Sequence, residues 1–262
     1  MKKSTLNYMI AAEVTAFIYL VAAFFMLLTE RWTLCLLFTA LMFICYAIGW
    51  IIYNKVQRQE RVSKLRKTKE NALLLARIQP IHNGHIYLIK KMVSECDNVY
   101  VCIGSANKYK SLRNPFPVEL RKKLLEEALE ENDLLDKVHI ITLPDWSMES
   151  SENENVSWGR YLYYNVVSQM QKKYFSIYYS DNPKYIKKWF NSEVGDYINI
   201  VYQERGQING GVSATKVREA ILDKDIEYLN NNCPKCIVNN FDQLYERLIY
   251  INENHLDDFS IE

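Results

Sequence analysis

Two apolar runs at the start of the chain limit its folding more than any other feature. Residues 6–28 are almost wholly apolar, interrupted chiefly by Asn7, Glu13 and Thr15, and residues 32–53 carry no charge. A helix of roughly 20 residues crosses the ~30 Å hydrocarbon core of a bilayer, so each run is long enough to span one. Only Thr29, Glu30 and Arg31 separate them. This predicts an immediate reversal and a two-helix transmembrane hairpin over residues 1–53. The length of the first run, the lack of a small-residue cleavage pattern after it, and the second run directly behind argue against a cleaved leader.

Basic residues set the expected orientation. Lys2 and Lys3 precede the first run, while Lys55, Arg58, Arg61, Lys64, Arg66, Lys67 and Lys69 follow the second, opposed by Glu60 and Glu70. The turn between the runs carries one charge of each sign. Lys and Arg accumulate on the cytoplasmic side. A two-span protein with both termini and the downstream domain in the cytoplasm is therefore expected, with residues 6–53 meeting membrane lipid. Residues 54–70 read as a basic linker or helix extension, suited to anionic headgroups or simply to water. Glu13 either has a role inside the first span or reaches interfacial water near its end.

The net charge of +1 averages this apolar start with an ordinary soluble remainder. Cys35, Cys45, Cys96, Cys102, Cys233 and Cys236 form no secreted disulfide framework. Cys233-Pro234-Lys235-Cys236 has the spacing of half a zinc ribbon but no second pair, so it reads as structural, and no metal set within the chain is expected.

Residues 71–262 alternate short apolar runs with amphipathic stretches. Strands are expected over 72–77, 99–103, 138–143, 174–179 and 198–202, and helices over 84–96, 117–131, 158–172 and 183–191. Everything after Ser213 reads helical. Strands spaced by helices predict an α/β fold, a Rossmann-like parallel sheet with right-handed crossovers. Ligands in such sheets bind outside the carboxyl ends of the strands.

There the first strand runs into Arg77-Ile78-Gln79-Pro80-Ile81-His82-Asn83-Gly84-His85. Gly84 permits close backbone approach, and a helix starting here presents free N–H groups and a positive dipole end to an anion. Two imidazoles and a guanidinium at such a point suit a triphosphate. A zinc pair has the same spacing, but no third ligand lies nearby.

The stretch resembles the His-x-Gly-His signature of the nucleotidyltransferase superfamily. It is closer still to the opening segment of archaeal-type nicotinamide-mononucleotide adenylyltransferases. Further segments resemble that family in order: Ile103-Gly104-Ser105-Ala106; Asn114-Pro115-Phe116 with Arg121; Pro144-Asp145 with Trp158; Tyr179-Ser180-Asp181-Asn182-Pro183; and Ser213-Ala214-Thr215-Lys216-Val217-Arg218. The resemblance implies a Rossmann-like nucleotidyltransferase fold, with His82, His85, Arg77 and Arg218 catalytic. Gln79, Gly84, Ser180, Asn182, Ser213 and Thr215 would bind ATP. Gly104, Ser105, Arg121, Asp145 and Trp158 would face the substrate, and Mg²⁺ would arrive on the ATP phosphates. The chain departs from the pattern at Ala76, Ile78, Glu119, Asp181 and Ala214, none of which removes a phosphate ligand.

Other side chains carry blander readings. Trp158 is either a stacking residue or a core aromatic at a helix start, Trp146 a loop anchor, and Lys108 and Lys110 triphosphate contacts or solvated surface. His139 and His255 read as non-catalytic. The tyrosines of 161–179 have few interleaved cations, so nucleic acid is not an expected partner; a homo-oligomer is open. The expected reaction is transfer of AMP from ATP to nicotinamide mononucleotide. Its rivals are a cytidylyltransferase making an activated lipid or wall precursor, and an idle membrane-bound nucleotide sensor.

Overall fold

The computed structural model describes residues 17–19, 21–22, 24, 32–145, 152–180, 186, 188–190, 193–204, 211–254 and 256. The chain divides into two compact units, residues 1–63 and 64–262. Helix α1 (Trp32–Lys69) is continuous, and Thr39–Lys64 is long and apolar enough to cross a membrane. Its large apolar side chains point outward on all sides: Leu36 is 70%, Phe43 67% and Trp50 62% exposed. Of the first expected span, residues 17–19, 21–22 and 24 are described and helical. Glu13 and the expected turn at residues 29–31 lie outside the described residues.

In the second unit, five strands form one parallel sheet in the order β3-β2-β1-β4-β5. They are β1 (Asn71–Ala76), β2 (Asn98–Ile103), β3 (Val138–Thr142), β4 (Phe175–Tyr179) and β5 (Ile198–Tyr202). The central position of β1 explains its unbroken apolar run, because a parallel strand covered on both faces has no polar side to show. Ala72 and Leu74 face one core with Ile86, Ile89, Met92, Leu124 and Val217. Leu73 faces the other with Leu162, Val166, Phe175 and Ile177. The strand order reverses between β1 and β4, which pair directly. That is the topological switch point, where a doubly wound sheet opens a crevice.

The crossovers are α2 (Asn83–Glu95), α3 (Val118–Glu130) and α4 (Glu152–Met170), and the chain closes with α5 (Ala214–Leu222), α6 (Ile226–Asn232), α7 (Lys235–Asn239) and α8 (Phe241–Glu253). Helix α4 departs from expectation: it starts at Glu152, so Trp158 lies within it and not at its beginning. The added residues are mostly polar and lack an apolar period. Of the short helix expected over 183–191, residues 186, 188 and 189 are described and helical.

Candidate active site

The turn after β1 is built against its own residue types. Ile78 lies in the left-handed region at φ +52°, and the Gln79–Pro80 peptide is cis. A β-branched residue at positive φ costs on the order of 1–3 kcal/mol and persists only where its surroundings hold it. Beyond the turn, His82 caps α2. Its Nδ1 accepts the Gly84 N–H at 3.2 Å, while its own N–H donates to Nδ1 of His85 at 3.3 Å. The two rings stack with centroids 3.8 Å apart. Since both Nδ1 atoms accept backbone protons, the neutral rings carry their own protons on Nε2. The cap thus fixes ring orientation and tautomer together.

A second helix start adjoins the first. A Cβ placed on Gly84 would lie 3.0 Å from Val212 Cγ1, as well as 3.0 Å from the His82 ring. The next residue, Ser213, caps α5 by accepting the Lys216 N–H at 3.3 Å. Two positive helix ends therefore converge on one place, a setting that favours a polyanion.

Guanidinium groups surround that place. Arg218 donates from Nη1 to the Gln79 carbonyl at 2.8 Å and from Nη2 to Thr215 Oγ1 at 3.3 Å. Burial pushes its pKa down to about 10, and the charges of Arg77 and Arg113 push the same way against the pull of Glu219. Arg77 donates from Nη1 to Asn114 Oδ1 at 3.2 Å. Like charges gathered in this way repel, and an anion between them relieves the repulsion. Arg113 has no sequence signal of its own beyond its place before Asn114-Pro115-Phe116; only the fold brings its charge to Arg218.

The side chains of Gln79 and Arg121, expected to meet ligands, are bonded to backbone groups. Gln79 is 1% exposed, and its amide is committed to the two peptide groups that flank Phe116. Its Nε2 donates to the Phe116 carbonyl at 3.1 Å, and its Oε1 accepts the Phe116 N–H at 3.0 Å. Arg121 is fully buried. It donates from Nη1 to the carbonyls of Arg77 at 2.8 Å and Gly104 at 2.9 Å, and from Nη2 to that of Ser105 at 3.0 Å. Burial lowers its pKa to about 10, against the raising charges of Glu119 and Asp145. Ser105, like Ile78, has positive φ, at 49°. One buried guanidinium thus ties together the two strained turns that end β1 and β2. Gly104 and Ser105 are themselves buried, and their carbonyls are turned toward Arg121.

The remaining candidates sit past β3 and β4. Asp145 and Asn107 exchange two bonds: the Asp145 N–H donates to Asn107 Oδ1 at 2.7 Å, and Asn107 Nδ2 donates to the Asp145 carbonyl at 3.2 Å. This joins the loops after β2 and β3. The Tyr161 hydroxyl donates to the Pro144 carbonyl at 3.0 Å. Trp158 is half-buried, its ring 5.5 Å from Tyr161 and 6.4 Å from Trp189. Gly159 makes this packing possible, since a Cβ there would fall 1.6 Å from the Trp189 carbonyl oxygen. Ser180 follows β4 at the crevice, half-buried; Asn182 and Trp146 lie outside the described residues. Among the described residues, no cluster of three or more His, Cys, Asp and Glu side chains is placed to hold a metal ion.

A parallel sheet whose switch point carries this arrangement defines a class of protein, the nucleotidyltransferases. A family model described as cytidylyltransferase-like matches residues 76–220, more than half of the chain, and the chain belongs to that family. It is 36% identical over 155 residues to a nicotinamide-nucleotide adenylyltransferase of Thermococcus kodakarensis, covering 59% of this chain and 73% of that one. A Pyrobaculum aerophilum protein of the same name is 32% identical over 161 residues, covering 61% of this chain and 80% of its own. The fold is similar to that of a bifunctional NMN adenylyltransferase/ADP ribose pyrophosphatase from Francisella tularensis, solved with AMP and a manganese ion. There the TM-score is 0.55 with 21% sequence identity, over 71% of this chain and 53% of the other.

Proposed function

We propose that the enzyme transfers AMP from ATP to nicotinamide mononucleotide, forming NAD and pyrophosphate, and that helices within residues 6–53 anchor it in a membrane with its catalytic domain in the cytoplasm. The observation that carries the reaction is the stacked His82–His85 pair, held by a helix cap at the switch point, with Arg218 bonded to the Gln79 carbonyl of the same turn and Arg77 at its start. The archaeal relatives' names support the choice of acceptor. The exposed apolar surface of α1, with basic residues in its last turns, supports the anchor.

In the reaction, a phosphate oxygen of the mononucleotide attacks the α-phosphorus of ATP in line. A new P–O bond forms as the α–β bridging bond breaks, and pyrophosphate leaves with the electron pair. No covalent enzyme intermediate is required, so positioning and charge neutralisation supply most of the rate. His82 and His85 donate from Nε2 to phosphoryl oxygens as charge develops. Arg77 and Arg218 hold the triphosphate, with the N–H groups at the starts of α2 and α5 as further donors. Ser213 and Thr215 border the same phosphates, and Ser180 and Asn182 the adenine. Gly84 keeps the helix start low enough for contact. Gln79 and Arg121 act from beneath by fixing the turns. Asp145 and Trp158 bound the acceptor side, Trp158 offering a face to the nicotinamide ring. Magnesium belongs to the substrate here, carried by ATP phosphate oxygens, and the cationic donor set suits those oxygens.

Full-length protein in detergent, given ATP or CTP with candidate phosphate acceptors, tests the reading. Pyrophosphate release and NAD formation are expected with ATP plus nicotinamide mononucleotide. Release with CTP alone would point instead to a cytidylyltransferase, and no release with any pair would reject catalysis. For the anchor, retention of the protein in membranes after alkaline carbonate washing is expected, and its release would contradict it.

A further inference from the structure

The loop between β2 and α3 carries Arg113 and Asn114 to the site, and a residue far along the chain grips it at both ends. Arg247 lies in α8, beyond the family-matched residues 76–220. Its Nε donates to the Pro115 carbonyl at 3.0 Å and its Nη2 to the Tyr109 carbonyl at 2.7 Å. The guanidinium also lies over the Tyr250 ring of the same helix, 5.6 Å from its centroid. Between the two gripped carbonyls sit Arg113, whose charge is felt at Arg218, and Asn114, which accepts from Arg77. A planar fork holding two carbonyls restrains the segment between them in a way one hydrogen bond does not. From the other side, Gln79 holds Phe116 and Arg121 holds Gly104 and Ser105.

We infer that Arg247 is a positioning residue: it presents the Arg113 guanidinium to a substrate phosphate by fixing residues 109–115. This deepens the reading of the site given above and rests on it. A displacement of about 1 Å at a positioned group is enough to cost substantial rate or affinity.

Full-length protein in detergent tests the inference, with KM measured for ATP and for the mononucleotide in turn. Arg247→Ala is expected to raise KM about tenfold for whichever substrate places its phosphate against Arg113, leaving kcat within about twofold. Arg247→Lys, able to keep one of the two bonds, is expected to recover part of the loss. In an Arg113→Ala background, adding Arg247→Ala is expected to change KM by less than about twofold. Independently of turnover, amide exchange across residues 109–115 is expected to quicken in Arg247→Ala while the sheet strands keep their protection. Additive losses in the double variant, or unchanged exchange in the loop, would overturn the inference. If the wild type shows no turnover, the proposed reaction fails, while the exchange comparison still decides the clamp.

Discussion

The mouth of the site and its floor are built from the same segments, yet their polar groups face opposite ways. At the mouth (the turn from β1 into α2), His82, His85, Arg77 and Arg218 bring donors and positive charge together. On the floor, Gln79 and Arg121 sit among the same motif residues but turn inward, to the backbone N–H and carbonyl of Phe116 and to the carbonyls of Arg77, Gly104 and Ser105. The difference teaches that a polar residue within a functional motif can act on the backbone that carries the site rather than on the ligand. Holding Ile78 and Ser105 at positive φ needs such a fixture, because neither residue favours that conformation.

Substitutions can break or sharpen this contrast. The largest effect is expected on the floor. Arg121→Leu would remove a donor from three carbonyls, of which Ser105's keeps the Lys108 N–H, and cost about 4 kcal/mol in denaturant unfolding, with activity falling as the turns relax. Unchanged stability with activity lost would move Arg121 to the mouth. Next, His85→Ala is expected to lower kcat by about 10²–10³-fold, on the order of 3 kcal/mol of barrier, while unfolding shifts by no more than about 1 kcal/mol. A comparable loss of stability would make the imidazole pair structural. Gln79→Ala is expected to cost about 2 kcal/mol of stability, because it leaves the backbone N–H and carbonyl of Phe116 without their Gln79 partner; calorimetry or urea unfolding reads this directly. The smallest effect belongs to Thr215→Val, which removes the Arg218 Nη2 contact. KM for ATP should rise about threefold with unchanged unfolding.

Much of the sheet was legible because the chain writes it in plain periodicities. The run Ala72-Leu73-Leu74-Leu75 has no polar face and therefore belongs in a covered parallel strand, and the other four strands fall within a residue or so of where their apolar runs place them. The passage of that strand into a helix start at His82, Gly84 and His85 was legible as well. The direction in which Gln79 and Arg121 point was not. An amide or guanidinium suits a phosphate as well as a carbonyl, and only the packed turns decide between them. Arg113 and Arg247 were equally hidden, since their roles depend on contacts between segments far apart in sequence. The early start of α4 escaped notice because Glu152-Asn153-Glu154-Asn155 has no apolar stripe. Of the expected N-terminal hairpin, the described residues supply one helix long and apolar enough to cross a membrane.

The claim on which the rest depends is that a triphosphate docks against the Nε2 atoms of the two capped imidazoles. Selective ¹⁵N labelling of histidine in the full-length protein tests it most directly, because the chain has only four histidines and His139, on β3 beside Tyr100, serves as an internal control. Titration with magnesium and a non-hydrolysable ATP analogue should shift the Nε2 resonances of His82 and His85 together, both rings already carrying their proton on Nε2, and leave His139 unmoved. Saturable binding of the analogue with no change at either ring would contradict the account.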